Sequence, residues 1–172
     1  MDDLIDDLKA RARILQRQAQ AGEVGALARL RRLPELKSLD DVQLRETVQR
    51  RHCLAAVARE QGFRDWSHAR SVLTAEGAVS DFGTLLYPAR CSAHWNIWSA
   101  DYDEARAIRD DHGGYLLAYR HQFLIVDRHY LETLGLDPDD RDWERMGRDW
   151  VRPLEPAARS RLYAKLLLAT SG

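Results

Sequence analysis

All six tyrosines and four of the five tryptophans lie beyond residue 77, whereas the first 77 residues repeat aliphatic side chains at spacings of three and four. One periodicity cannot serve both stretches. A helical stripe recurs every 3.6 residues, while aromatic and β-branched residues favour a pleated sheet, whose period is two. The expected fold is therefore α+β: an N-terminal helical lobe over residues 1–77 packed on a small aromatic-rich domain over residues 78–172, with a short, mainly antiparallel sheet. At 172 residues, 45% apolar and 31% charged, the chain has enough apolar surface for a real core and too much for disorder.

Within the first stretch, Leu4, Ile5, Leu8, Ala12, Leu15 and Ala19 define one buried stripe on a helix from about Asp2 to Ala21. Its acids come first, the order that the helix dipole favours. Gly22 punctuates, a helix over Glu23–Leu33 follows, and Pro34 ends it. Ser38-Leu39-Asp40-Asp41 supplies capping chemistry for a helix running to about Gln61, and Asp65 opens a last helix to Ala75. Gly77 to Ser80 reads as the joint. The second stretch offers a strand at Trp95–Ser99, a helix opened by Asp101 and closed by Gly113-Gly114, and strand-like runs at Tyr115–Arg120 and Gln122–Val126. Those two runs are either a hairpin turning at Arg120-His121 or one bulged strand. Short helices at Arg128–Leu134 and from Asp137-Pro138 to Trp143 precede a final helix, Pro156–Ala169.

Net charge is −1, which gives no whole-protein argument for nucleic acid or an anionic membrane. Residues 1–77 hold 14 basic and 12 acidic groups and residues 78–172 hold 12 and 15, so neither half is strongly charged. Two cysteines, Cys53 and Cys91, are too few for a disulfide framework and point to a reducing, cytoplasmic setting, with a bacterial source as the companion expectation. No run approaches the ~18 apolar residues of a membrane span, and the N-terminus does not read as a signal peptide.

The segment Cys53–Leu73 has the spacing of a helix-turn-helix. Its second helix would offer Arg64, Ser67, His68 and Arg70 to a DNA major groove. Trp66 at the start of that helix favours a structural corner instead. The pattern Ala58-Arg59-Glu60-x-Gly62-Phe63-x-Asp65-Trp66 resembles a short helical segment found near the N-terminus of glyoxalase-related and ankyrin-repeat bacterial proteins. The resemblance covers about 20 residues and implies a helix pair rather than an activity; nothing beyond Gly77 resembles those families.

The nine residues Arg90–Trp98 pack a Cys-x-x-His pair and two tryptophans together. Cys91 and His94 could share an ion, but a structural zinc needs two further ligands, and His112, His121 and His129 form no second closely spaced pair. No metal and no cofactor is expected. Cys91 lacks a surrounding nucleophile elbow or oxyanion loop, and no Gly-rich phosphate loop exists. Asp137–Asp142 lacks the glycine and terminal glutamate of a calcium loop. What stands out is aromatic density with polar groups between. In an extended strand, His94, Asn96 and Trp98 share one face, with Trp95 and Ile97 turned into a core. Tyr115 and Tyr119 share a face of the next strand, with Arg120 and His121 at its edge. The leading expectation is a non-catalytic binding or interaction module that uses His94, Asn96, Trp98, Tyr115, Tyr119, Arg120 and His121 toward a small molecule or a peptide or protein partner. A small enzyme built on the same His/Asn/Arg pocket is the alternative, and DNA binding through residues 53–73 the third.

Overall fold

Leu4, Ile5, Leu8, Ala12, Leu15 and Ala19, the stripe read from their spacing, are all buried along helix α1 (Asp2–Ala21). The computed structural model describes residues 2–74 and 79–169. The chain divides into two compact units, Asp2–Ser71 and Val72–Gly172. The division falls within a helix; of the expected joint, Gly77 and Ala78 lie outside the described residues.

In the N-terminal unit, α1 lies against α2 (Val24–Leu30), α3 (Asp41–Thr47) and α4 (Arg50–Glu60). Alanines at Ala12, Ala19 and Ala56 are buried, and such small side chains let helix axes approach closely. Pro34 opens a single 3-10 turn, Pro34–Leu36. The helix expected from Asp41 to Gln61 is broken in two. Val48 and Gln49 are extended, with ψ of 126° and 162°. The β-branched pair Thr47-Val48 has weak helix propensity, and Val48 is drawn into the core instead. Each of the next two helices carries a histidine as its third residue. The His52 ring Nδ1 accepts the Gln49 N–H at 3.1 Å ahead of α4. The His68 Nδ1 accepts the Arg64 N–H at 3.0 Å ahead of α5 (Trp66–Thr74), where Asp65 Oδ1 also accepts the His68 N–H. A bidentate Arg29–Glu60 pair, 2.8 and 2.7 Å, ties α2 to α4.

The corner between α4 and α5 follows the local pattern closely. Gly62 has a φ of +80°, Phe63 N–H bonds back to the Ala58 carbonyl at 3.1 Å, and the Phe63 ring is buried edge-on to His68.

The C-terminal unit is built on a three-stranded antiparallel sheet of order β1-β3-β2: β1 (Ile97–Ser99), β2 (Tyr115–Tyr119) and β3 (Gln122–Val126). Tyr119 pairs with Gln122, so β2 and β3 form a hairpin turning at Arg120-His121. The turn lacks glycine, and Arg120 adopts a φ of +52°. A neighbouring segment holds it there: Phe82 N–H donates to the Arg120 carbonyl at 2.9 Å and Arg120 N–H to the Gly83 carbonyl at 2.8 Å. Helix α6 (Tyr102–His112), capped by Asp101, covers one face of the sheet, where Tyr102, Ala105, Leu116 and Ile125 form a core with Ile108, Phe123 and Val151. On the opposite face lie Tyr115, Leu117, Tyr119 and Leu124, with Trp98. There Tyr115, Trp143, Trp150 and Tyr163 interlock, ring to ring, at 4.9, 5.5 and 4.7 Å.

Three helices complete the unit: α7 (Arg128–Leu134), α8 (Arg141–Arg145) and α9 (Pro156–Ala169). The helix expected from Asp137 starts later, with Asp140 as its N-cap. Leu162, Tyr163, Leu166 and Leu167 bury one face of α9, each worth roughly 1.5–3 kcal/mol. Arg161 grips the buried Asp142 carboxylate with Nε and Nη2, fixing α9 to α8. The fold class is thus α+β. Among the described residues, no helix is long and apolar enough to cross a membrane.

Candidate functional site

Beyond β2 the chain passes along the sheet edge once more. Leu116 N–H donates to the Arg148 carbonyl and Trp150 N–H to the Leu116 carbonyl, both at 2.9 Å, a parallel bridge that sets Asp149 beside β2. Asp149 is buried, and both oxygens of its carboxylate are engaged. Oδ2 accepts the Tyr102 hydroxyl at 2.6 Å, and Oδ1 accepts the N–H groups of Val151 and Arg152, each at 2.9 Å. The first turn of α6, the tight turn 149–152 and the start of α9 are thereby brought around one space.

That space is a pocket of about 410 Å³ lined by Val79, Ser80, Phe82, Tyr102, Phe123, Val151, Arg152, Pro153, Pro156 and Arg159. The volume falls within the roughly 300–1,000 Å³ of small-molecule sites. Its walls are chiefly aromatic and aliphatic, with Phe82 edge-on to Phe123 and Phe123 edge-on to Tyr102. Two cations border it. The Arg152 guanidinium lies 3.9 Å above the Tyr102 ring, while Arg159 is only 6% exposed. Arg159 Nη1 donates to the carbonyls of Trp150, at 3.0 Å, and Val151, at 3.5 Å. No acidic side chain pairs with it among the described residues. Burial and the neighbouring Asp149 carboxylate push the Tyr102 hydroxyl up to about 12, so Tyr102 is a proton donor at neutral pH and not a base.

The residues singled out by sequence lie elsewhere. Half-buried His94 rests edge-on to the Tyr130 ring, its Nε2 2.9 Å from Thr133 Oγ1, and Asn96 turns back to the His94 carbonyl. Trp98 and Tyr119 meet edge-on at 6.0 Å, both against Tyr87, with the Arg120 guanidinium 5.5 Å from the Tyr119 ring. Tyr115 is buried, its hydroxyl donating to the Pro138 carbonyl. His121 is exposed and approaches the Ser80 carbonyl at 2.7 Å, beside the pocket without lining it. Trp98, Tyr119 and Arg120 thus form one surface cluster, and His94 with Asn96 belongs to the packing around α7. Trp95 and Ile97, expected in a core, are exposed. Trp95 precedes a three-residue edge strand, and nothing pairs with that strand's outer side among the described residues.

Cys91 is buried beside Tyr130, and burial pushes its thiol above the ordinary range. Burial likewise raises Cys53, to about 11, which leaves both thiols protonated and poorly nucleophilic. Among the described residues no three His, Cys, Asp or Glu side chains are grouped to hold a metal ion. Of the helix-turn-helix candidates, Arg64, Ser67 and Arg70 are exposed, whereas His68 is buried with its ring turned back to the Arg64 N–H.

One sequence signal for the pocket existed. Arg159 stands four residues before Tyr163 and three before Leu162, on the apolar stripe of α9 and near its N-terminal end, where a cation is least expected. Tyr102, Phe123 and Arg152 carry no comparable mark. No protein-family model, no curated protein and no solved structure matches this chain.

Proposed function

We propose that the C-terminal unit is a binding module that takes a small, largely apolar molecule into the pocket between Tyr102 on α6, Phe123 on β3 and the start of α9. The observation that carries this reading is the pocket itself: apolar walls of suitable volume with a few polar groups converging at their edge. Binding, rather than acid–base chemistry, is favoured by the state of the polar groups. The Tyr102 proton is held by Asp149, and both oxygens of that carboxylate are already engaged.

Methyl NMR offers the direct test, because Val79 and Val151 line the pocket and report on its contents. Titration with a neutral aromatic such as 3-phenylpropanamide is expected to shift both valines. In a folded Phe123→Ala variant the affinity is expected to fall by about tenfold or more, the wall having lost a ring. Unmoved valine signals at saturating solubility would remove the pocket reading.

A further inference from the structure

Arg159 is in an electrostatically awkward place. It is a cation, 6% exposed, in the first turns of a fourteen-residue helix whose dipole puts partial positive charge at that end. Burying a guanidinium costs free energy that a carboxylate normally offsets. Here only two backbone carbonyls do so, and both are met by the same nitrogen, Nη1. Among the described residues Nε and Nη2 make no hydrogen bond, and the sealed side-chain nitrogens and oxygens without a partner amount to Trp150 Nε1 alone. The Nε–Nη2 edge of Arg159 is therefore unpaired yet still reached by solvent. That edge is the side of a guanidinium that grips a carboxylate through two parallel hydrogen bonds.

From this we infer that the pocket's ligand carries a carboxylate, gripped by the Nε–Nη2 edge of Arg159, with an apolar or aromatic body against Phe82, Phe123 and the two prolines. The inference rests on the binding reading above and names the ligand's chemical class. Arg152 completes the arrangement from the rim. Its guanidinium is already seated over Tyr102, the exposed Asp103 stands 3.9 Å from it, and the nearby Asp149 carboxylate is taken up by the Tyr102 hydroxyl and two backbone N–H groups. Two guanidinium groups suit the single charge of a carboxylate. A phosphate monoester, with up to two charges and three oxygens, asks for more donors than these walls contribute.

Three probes of similar size separate the outcomes: 3-phenylpropanoate, 3-phenylpropanamide and phenyl phosphate, titrated into the full chain with calorimetry and the Val79 and Val151 methyl signals as readouts. The carboxylate is expected to bind roughly tenfold or more tightly than the amide. That preference is expected to collapse to about one in Arg159→Met and to shrink several-fold in Arg152→Gln, whose exposed position leaves folding intact. If Arg159→Met fails to fold, Arg159→Lys keeps the charge while removing the two-pronged edge, and a weakened preference in it supports the same assignment. Equal affinities for carboxylate and amide, with both shifting the valines, would overturn the carboxylate while leaving the pocket reading in place. Tighter binding of phenyl phosphate would overturn it too. Silence of the valines toward all three probes would overturn both.

Discussion

Histidines in the N-terminal unit accept backbone N–H groups from the third position of a helix, a role usually taken by Glu or Gln. For His52 the consequence is sensitivity to protonation. The His52 Nδ1 accepts the Gln49 N–H, which it can do only while neutral. Burial, and then the Arg51 charge, hold this ring below the ordinary histidine range. As pH falls through the ordinary value of about 6.5 the unfolded chain takes up the proton first, so the His52 contribution is full above that value and declines below it. A ring titration followed by NMR is expected to place the His52 midpoint under 6.5. His52→Ala is expected to cost about 1 kcal/mol at pH 7.5 in denaturant unfolding and less at pH 5.5. Arg120 is a further residue at odds with its surroundings. Its left-handed conformation is held by the Phe82 and Gly83 backbone, which is why the dipeptide Arg120-His121 gave no turn signal in sequence.

Elements were legible where their cause was local. The α1 stripe, the Asp101 and Asp65 caps and the limits of α7 and α9 follow from spacing and capping alone, and each appears as expected. The break between α3 and α4 was not legible, because burial of Val48 outweighs the helical pattern around it. The passage from α6 into β2 turns on Gly114, whose φ is +97°. A side chain's Cβ there would come within 2.7 Å of the Val126 carbonyl, a backbone group of the neighbouring strand that cannot swing aside. Gly114→Ala is accordingly expected to destabilise the C-terminal unit by more than about 1 kcal/mol, read as a lower thermal midpoint, whereas Gly113→Ala meets no atom within 4 Å and is limited to its backbone strain. The pocket was out of reach of sequence for a related reason. Its walls come from five separate segments, around residues 79–82, 102, 123, 151–153 and 156–159, and only the pairing of β2 with both β3 and the 148–150 segment brings them together. Arg159 alone left a trace, as a charge on an apolar stripe.

For the molecule as a whole, the aromatic density of the C-terminal unit falls into four settings: an interlocked core around Trp143 and Trp150, a half-open cluster of Tyr87, Trp98 and Tyr119, the edge-on rings of Phe82, Phe123 and Tyr102, and the lone Trp95. The rings around the proposed pocket are Phe82, Tyr102 and Phe123, none of them among the ligand contacts expected from sequence. Trp95, standing entirely in water ahead of an edge strand, gives the chain an optical property. Its indole is expected to emit at the red edge of the protein's fluorescence and to be quenched by iodide, while Trp143 and Trp150 emit to the blue, shielded from the ion. Trp95→Phe should therefore blue-shift the native spectrum and lower the iodide-accessible fraction to that of the partly exposed Trp66 and Trp98, without moving the thermal midpoint. A spectrum unchanged by the substitution would mean that this indole is covered in solution. The same side chain that fits no core is thus a built-in lamp, lit by solvent and dimmed by anything that settles over it.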